Sequence, residues 1–177
     1  MTDKQQGLVH LYYGDGKGKT TAAFGLAFRC AGWSSRVVIA QFLKSGPGGE
    51  ISAAEHFPQI TLLRDKPTNK FTFQMNDAEK AETAAACLSL FRRAVALAAA
   101  EYARLLVLDE VIDATHGFLP MAELTAFLDT RPAGLEVVLT GHDLPPKLAD
   151  RAHYITHMRK EKHPYDQGLS ARKEIEF

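Results

Sequence analysis

The chain has 177 residues, 46% of them hydrophobic, which suits one domain (residues 1–177) that buries a core. Lysine plus arginine balance aspartate plus glutamate at 21 each, so there is no global positive field to hold a phosphate backbone, which argues against a nucleic-acid partner. Two cysteines, Cys30 and Cys87, sit among apolar neighbours at helical spacing and read as reduced core thiols, which suggests a cytoplasmic protein.

In chain order, residues 1–6 are short and polar and lack the apolar centre of a signal peptide. No run further on approaches membrane-spanning length, so no membrane partner is expected. Residues 8–13 form an apolar, partly β-branched run that stops at a glycine cluster. A helical pattern over 20–33 follows, with Ala23, Ala27 and Cys30 in register. Similar short apolar runs at 37–42, 60–63, 105–108, 136–140 and 154–157 read as buried strands. The longest helix starts after Asn76, with Glu79 three residues on in a capping-box arrangement, and places Leu88, Phe91, Val95, Ala98 and Tyr102 on one face. A shorter helix follows Pro120 and runs toward Asp129. Strand–helix alternation predicts an α/β fold, a mostly parallel sheet with helices on both faces. Segments 44–58 and 64–75 read as long loops of the kind that carries function. The charged segment 159–177 reads either as a disordered tail or, through His163, Pro164, Tyr165, Ile175 and Phe177, as a docked one.

The stretch Gly14, Asp15, Gly16, Lys17, Gly18, Lys19, Thr20, Thr21 lies between the first strand and the first helix, the context of a P-loop. Glycines let successive N–H groups turn toward anionic oxygens, and the helix N-terminus adds its dipole. Lys19 supplies a point charge for the terminal phosphates, and the Thr20 hydroxyl is placed to join a magnesium shell. The general motif asks for glycine where Tyr13 stands. A second apolar strand delivers Asp109 and Glu110 at its carboxyl end, where open parallel sheets bind ligands, so one of the two is expected to hold Mg2+. His142, after Thr140 and Gly141, either donates to phosphate or is a polar loop residue.

These segments resemble the P-loop family of ATP:cob(I)alamin, or corrinoid, adenosyltransferases. The resemblance runs through Tyr-Gly-Asp-Gly-Lys-Gly-Lys-Thr-Thr-Ala-Ala-Phe-Gly at 13–25, Gln-Phe-Leu-Lys at 41–44, Lys-Phe-Thr-Phe at 70–73 and Val-Leu-Asp-Glu at 107–110. Arg-Pro at 131–132, Leu-Thr-Gly at 139–141 and Lys-His-Pro-Tyr-Asp-Gln-Gly at 162–168 complete it. That family also lacks the glycine replaced by Tyr13. The resemblance implies transfer of the 5′-deoxyadenosyl group of ATP to the cobalt of a reduced corrinoid, with release of triphosphate, in coenzyme B12 formation. It also implies a homodimer, a reduced flavin or flavoprotein as electron donor, and ATP lying along the loop in the reversed sense. Lys19 and Glu110 are then the catalytic residues, and Thr20, Asp109 and Glu110 the metal ligands. Phe71 and Phe73 match the aromatics that wall the family's corrinoid site, with Lys70 and Phe73 replacing glycine and tryptophan. Read from the residues alone, two such phenylalanines more often anchor a loop to the core. Relatives often carry a longer N-terminal cover for the corrinoid, so here a cover is expected from elsewhere. The rival reading is a P-loop ATPase or small-molecule kinase, which leaves 70–73 and 162–168 unexplained.

Overall fold

The computed structural model describes residues 6–65, 70 and 72–176. Phe71 and Phe177, singled out from the sequence, lie outside the described residues. Six parallel strands form one sheet: β1 (Val9–Tyr13), β2 (Val37–Gln41), β3 (Ile60–Arg64), β4 (Leu105–Asp109), β5 (Glu136–Gly141) and β6 (Tyr154–His157), in the order β3-β2-β4-β5-β1-β6. The helices are α1 (Lys19–Ala31), α2 (Gly49–Ala54), α3 (Asp77–Ala100), α4 (Val111–Ala114), α5 (Met121–Thr130) and α6 (Pro146–Ala149).

Side-chain alternation along the strands decides which helix packs where. Val37, Ile39, Leu105, Val107 and Val138 face Ala23, Phe24, Ala27 and Ala31 of α1. Val38, Ala40, Leu106, Leu108, Val137 and Leu139 belong to the opposite core, with Leu90, Phe91 and Ala94 of α3 and Leu124, Phe127 and Leu128 of α5. Both faces are therefore covered, which is why the inner strands read as unbroken apolar runs. Phe24 and Phe91 anchor α1 and α3, and truncating either to alanine is expected to cost about 3–5 kcal/mol.

The caps explain the helix limits. Gly18, with φ 105°, turns the chain into α1, which ends at Ala31 with the left-handed turn at Ser34, φ 60°, so Trp33 is not helical but 85% exposed. The α3 capping box forms as expected: Asn76 Oδ1 accepts from Glu79 N, and Glu79 Oε2 accepts from Asn76 N, each at 2.9 Å.

Several expectations are corrected. β3 and β6 are the sheet edges: β3 is only half-buried and every residue of β6 is exposed. Tyr102 falls beyond the end of α3 and turns out to solvent. Segment 44–58 contains α2, and the described residues of 64–75 include the 3-10 turn Thr72–Gln74. The 24-residue α3, against the sequence expectation, is long and apolar enough to span a membrane by length and composition. In the fold its Thr83, Cys87, Leu90, Phe91, Ala94 and Ala98 are buried, while Arg92 and Arg93 pair on the outer side with Glu123 and Asp65.

Candidate nucleotide site

The carboxyl ends of β1, β2, β4 and β5 meet in one place, because Tyr13 is the register partner of Gly141 and Gln41 that of Asp109. A cleft of about 860 Å³ opens there, a volume suited to a nucleotide. Gly16 to Thr21 form one wall; Gln41, Lys44, Glu110 and His142 also face it, and Phe24 and Phe28 supply apolar surface.

The loop is held open by backbone chemistry. Gly14 has φ 118°, and Gly16 N donates to Met158 O at 2.7 Å. A Cβ on Gly16 would stand 2.6 Å from that same oxygen, so no larger residue fits. Met158 N in turn donates to Tyr13 O at 2.7 Å, and Lys160 N donates to Asp15 Oδ1 at 3.0 Å. Asp15 thus faces the segment after β6, whose backbone N–H holds its carboxyl below the usual range. Gly14 and Asp15 support the loop, and only Gly16 to Thr21 line the cleft. Tyr13 stacks on His157 of β6, with centroids 4.5 Å apart and planes at 8°, so the residue standing in place of the motif's glycine ties the loop's stem to the sheet edge.

Lys19 Nζ donates to Gly14 O at 2.6 Å and Gly16 O at 2.9 Å, within its own loop. Burial pulls its pKa down, against the opposing pull of Asp113 and Glu110. Beside it Asp109 is fully buried and saturated with donors. Its Oδ1 accepts from Thr20 Oγ1 at 3.0 Å and Thr140 Oγ1 at 2.8 Å; its Oδ2 accepts from Gln41 Nε2 and Lys44 Nζ, each at 3.0 Å. Glu110 opens α4 from the left-handed region, φ 59°, with its N–H on Thr140 Oγ1 at 2.7 Å, and its carboxylate pairs with Lys44 at 3.1 Å. Burial pushes the Glu110 carboxyl up, helped by Asp109 and opposed by Lys44. For Lys44, burial works against the charge, but Asp109 and Glu110 outweigh it and raise the pKa.

This arrangement fits any enzyme that grips a triphosphate, and sequence similarity narrows it. Residues 5–177 match the sequence model of the family described as ATP:corrinoid adenosyltransferase BtuR/CobO/CobP. The chain belongs to the ATP:corrinoid adenosyltransferase family. It is 31% identical over 180 residues to corrinoid adenosyltransferase CobA of Salmonella typhimurium, covering 100% of this chain and 89% of the relative. It is 32% identical over 178 residues to the corrinoid adenosyltransferase of Pseudomonas aeruginosa, covering 98% and 85%, and 30% identical over 176 residues to that of Escherichia coli K12, covering 98% and 87%.

The metal that a P-loop adenosyltransferase implies is testable against the donor set. Among the described residues no three His, Cys, Asp or Glu side chains cluster, and the oxygens that do converge at the cleft are two carboxylates and a hydroxyl. Thr20 Oγ1, Asp109 Oδ2 and Glu110 Oε1 already surround one positive charge, the Lys44 ammonium, at 2.7, 3.0 and 3.1 Å. Gln41 Oε1, buried next to Asp109, has no hydrogen-bond partner. An all-oxygen set of this kind fits a hard divalent cation that also binds phosphate.

Of the remaining adenosyltransferase candidates, Phe73 is 82% exposed in the turn Thr72–Gln74 and is not among the residues lining the nucleotide cleft. It does not anchor the loop to the core. His142 lines the cleft with Nδ1 3.0 Å from Asp113 Oδ1, which also accepts His142 N at 3.2 Å. Sequence reasoning missed Lys44 and the acidic pair Glu174 and Glu176 on the cleft rim. Lys44 stood in the Gln-Phe-Leu-Lys stretch, but what brings it to Asp109 is the pairing of β2 with β4. Nothing local marks residues 174–176.

Proposed function

We propose that the chain transfers the 5′-deoxyadenosyl group of ATP to the cobalt of a reduced corrinoid and releases inorganic triphosphate, in the formation of adenosylcobalamin. What carries the reading is the convergence of Lys19, Thr20 and Glu110 on one cleft, with Asp109 buried behind Thr20, in a chain that belongs to this family.

The chemistry asks little of the protein as acid or base. The cobalt(I) electron pair forms a bond to the ribose 5′ carbon while the C5′–O5′ bond breaks, and the triphosphate leaves with that bond's electrons. The protein's task is to orient ATP and stabilise the departing charge. In this reading Lys19, released from its own loop carbonyls, and the N–H groups of residues 16–21 hold the leaving group. Thr20, Asp109 and Glu110 would hold Mg2+, which would supply further charge neutralisation, and Asp109 Oδ1 also orients the Thr20 hydroxyl. Phe73, with Phe71 two residues before it in sequence, serves as an apolar wall against the corrinoid. Such a wall offers no ligand to cobalt and thereby eases reduction to cobalt(I).

We further propose a single-domain, cytoplasmic homodimer that takes electrons from a reduced flavin or flavoprotein. The edge strand β6, with Tyr154 and Ile155 about half exposed, supports a partner subunit along the sheet. The deciding experiment is phosphorus NMR of the protein with ATP, Mg2+ and a chemically reduced corrinoid. Triphosphate and an alkylated corrinoid spectrum in equal amounts are expected. ADP in proportion to turnover, with an unchanged corrinoid spectrum, would replace this reading with an ATPase or kinase.

A further inference from the structure

Among the described residues Lys44 is the cation inside the oxygen cage formed by the three side chains expected to hold the metal. Its ammonium contacts Thr20 Oγ1, Asp109 Oδ2 and Glu110 Oε1 within 3.1 Å, and these belong to the P-loop helix, the end of β4 and the start of α4. The backbone on both sides of the cage takes an uncommon conformation. Leu43 and Glu110 both sit in the left-handed region, at φ 56° and 59°, and neither is a glycine. Leu43 turns the chain so that Lys44 leaves β2 toward the cage, and Glu110 turns its carboxylate to meet it. Lys44 keeps 30% of its side chain exposed and lines the cleft, so a four-carbon stem can swing the ammonium out without disturbing the core.

We propose that Lys44 is a tethered cation that occupies the metal position until Mg2+ arrives with the triphosphate, and that the two are alternative occupants of one cage. Its charge keeps Asp109 and Glu110 compensated when no metal is bound and denies the site to a divalent ion that comes without nucleotide. Displaced, the ammonium remains on the cleft wall as a second cation, beside Lys19, for the departing triphosphate. Two positive charges at one point repel, so simultaneous occupancy is disfavoured. The proposal rests on the metal reading of this site and not on the identity of the acceptor substrate.

The test is Mn2+ binding followed by electron paramagnetic resonance, with no nucleotide present. Lys44→Met, which keeps the stem and removes the charge, is expected to bind Mn2+ at least tenfold more tightly than wild type, and adding Asp109→Asn should abolish the gain. Equal Mn2+ affinity in wild type and Lys44→Met would overturn the proposal and leave Lys44 a fixed strut. A second measurement needs no variant to fold. In wild type carrying 15N-labelled lysine, the Lys44 ammonium resonance should shift when Mg2+ and inorganic triphosphate are added together. A resonance that does not move at saturation also overturns the exchange. Neither measurement involves corrinoid, so a failed cobalt alkylation assay and a failed cation exchange are separate results.

Discussion

Thr20 Oγ1 donates to Asp109 Oδ1 at 3.0 Å across 89 residues of sequence, and by that contact the P-loop and β4 share a buried carboxylate. Asp109→Ala leaves Thr20 Oγ1, Gln41 Nε2 and Thr140 Oγ1 without their acceptor and takes one of its oxygen partners from the Lys44 ammonium. The expected cost is about 2–4 kcal/mol, the range for losing one partner of a largely buried charged network. Urea unfolding measures it, and a loss below about 1 kcal/mol would show that the network is not structural.

Lys19→Ala is expected to leave the fold intact, since the Lys19 ammonium bonds only to carbonyls of its own loop. Activity should fall by roughly 100-fold or more, as for removal of one donor to a developing anion. A folded Lys19→Ala protein with wild-type turnover contradicts the leaving-group role.

Phe73→Ala should change stability by less than about 0.5 kcal/mol, because the side chain is 82% exposed. Its effect belongs in the assay that starts from cobalt(II), with a smaller effect when cobalt(I) is supplied ready-made. Equal impairment in the two assays removes Phe73 from the reduction step.

Much of this site was legible in the sequence because its chemistry is local. Glycines between a strand and a helix, and two carboxylates ending an apolar run, state their role within a dozen residues. Edge and interior strands were not separated in that way: 154–157 reads as a buried run although Tyr-Ile-Thr-His holds a single aliphatic residue, and its place at the sheet edge leaves it exposed. Tyr102 continued a helical face on paper, but the chain had already left the helix. Lys44 was visible as part of a motif, yet its meeting with Asp109 depends on β2 lying beside β4, which pairing decides and spacing does not.

Gly16→Ala tests the loop's anchorage. The new methyl group would stand 2.6 Å from Met158 O, so either the hydrogen bond from Gly16 N or the loop's shape must give way. ATP affinity, measured by calorimetry, is expected to drop at least tenfold with the sheet still formed. Unchanged affinity would mean that the clamp from β6 does not shape the site.

Burial pushes the Cys87 thiol up to about 11, and the half-buried Cys30 thiol is raised by the same cause. A folded-state value above the unfolded one favours the native state below the unfolded thiol's range, and that contribution is lost as pH climbs through about 11. Native protein at pH 8 should therefore alkylate slowly at both cysteines, Cys87 the slower, and rapidly in urea. Rapid labelling of Cys87 in the native state would place it at the surface.

The clamp on the P-loop also sets an order of events during synthesis. β1 leaves the ribosome first among the strands, yet its two neighbours in the sheet are β5 and β6, more than a hundred residues downstream. Until these emerge, Gly16 lacks the Met158 carbonyl that fixes it, and Thr20 must wait for Asp109. The nucleotide site is thus assembled from the first and last parts of the chain. A truncated or stalled product carries the whole glycine motif and still has no formed site with which to sequester ATP.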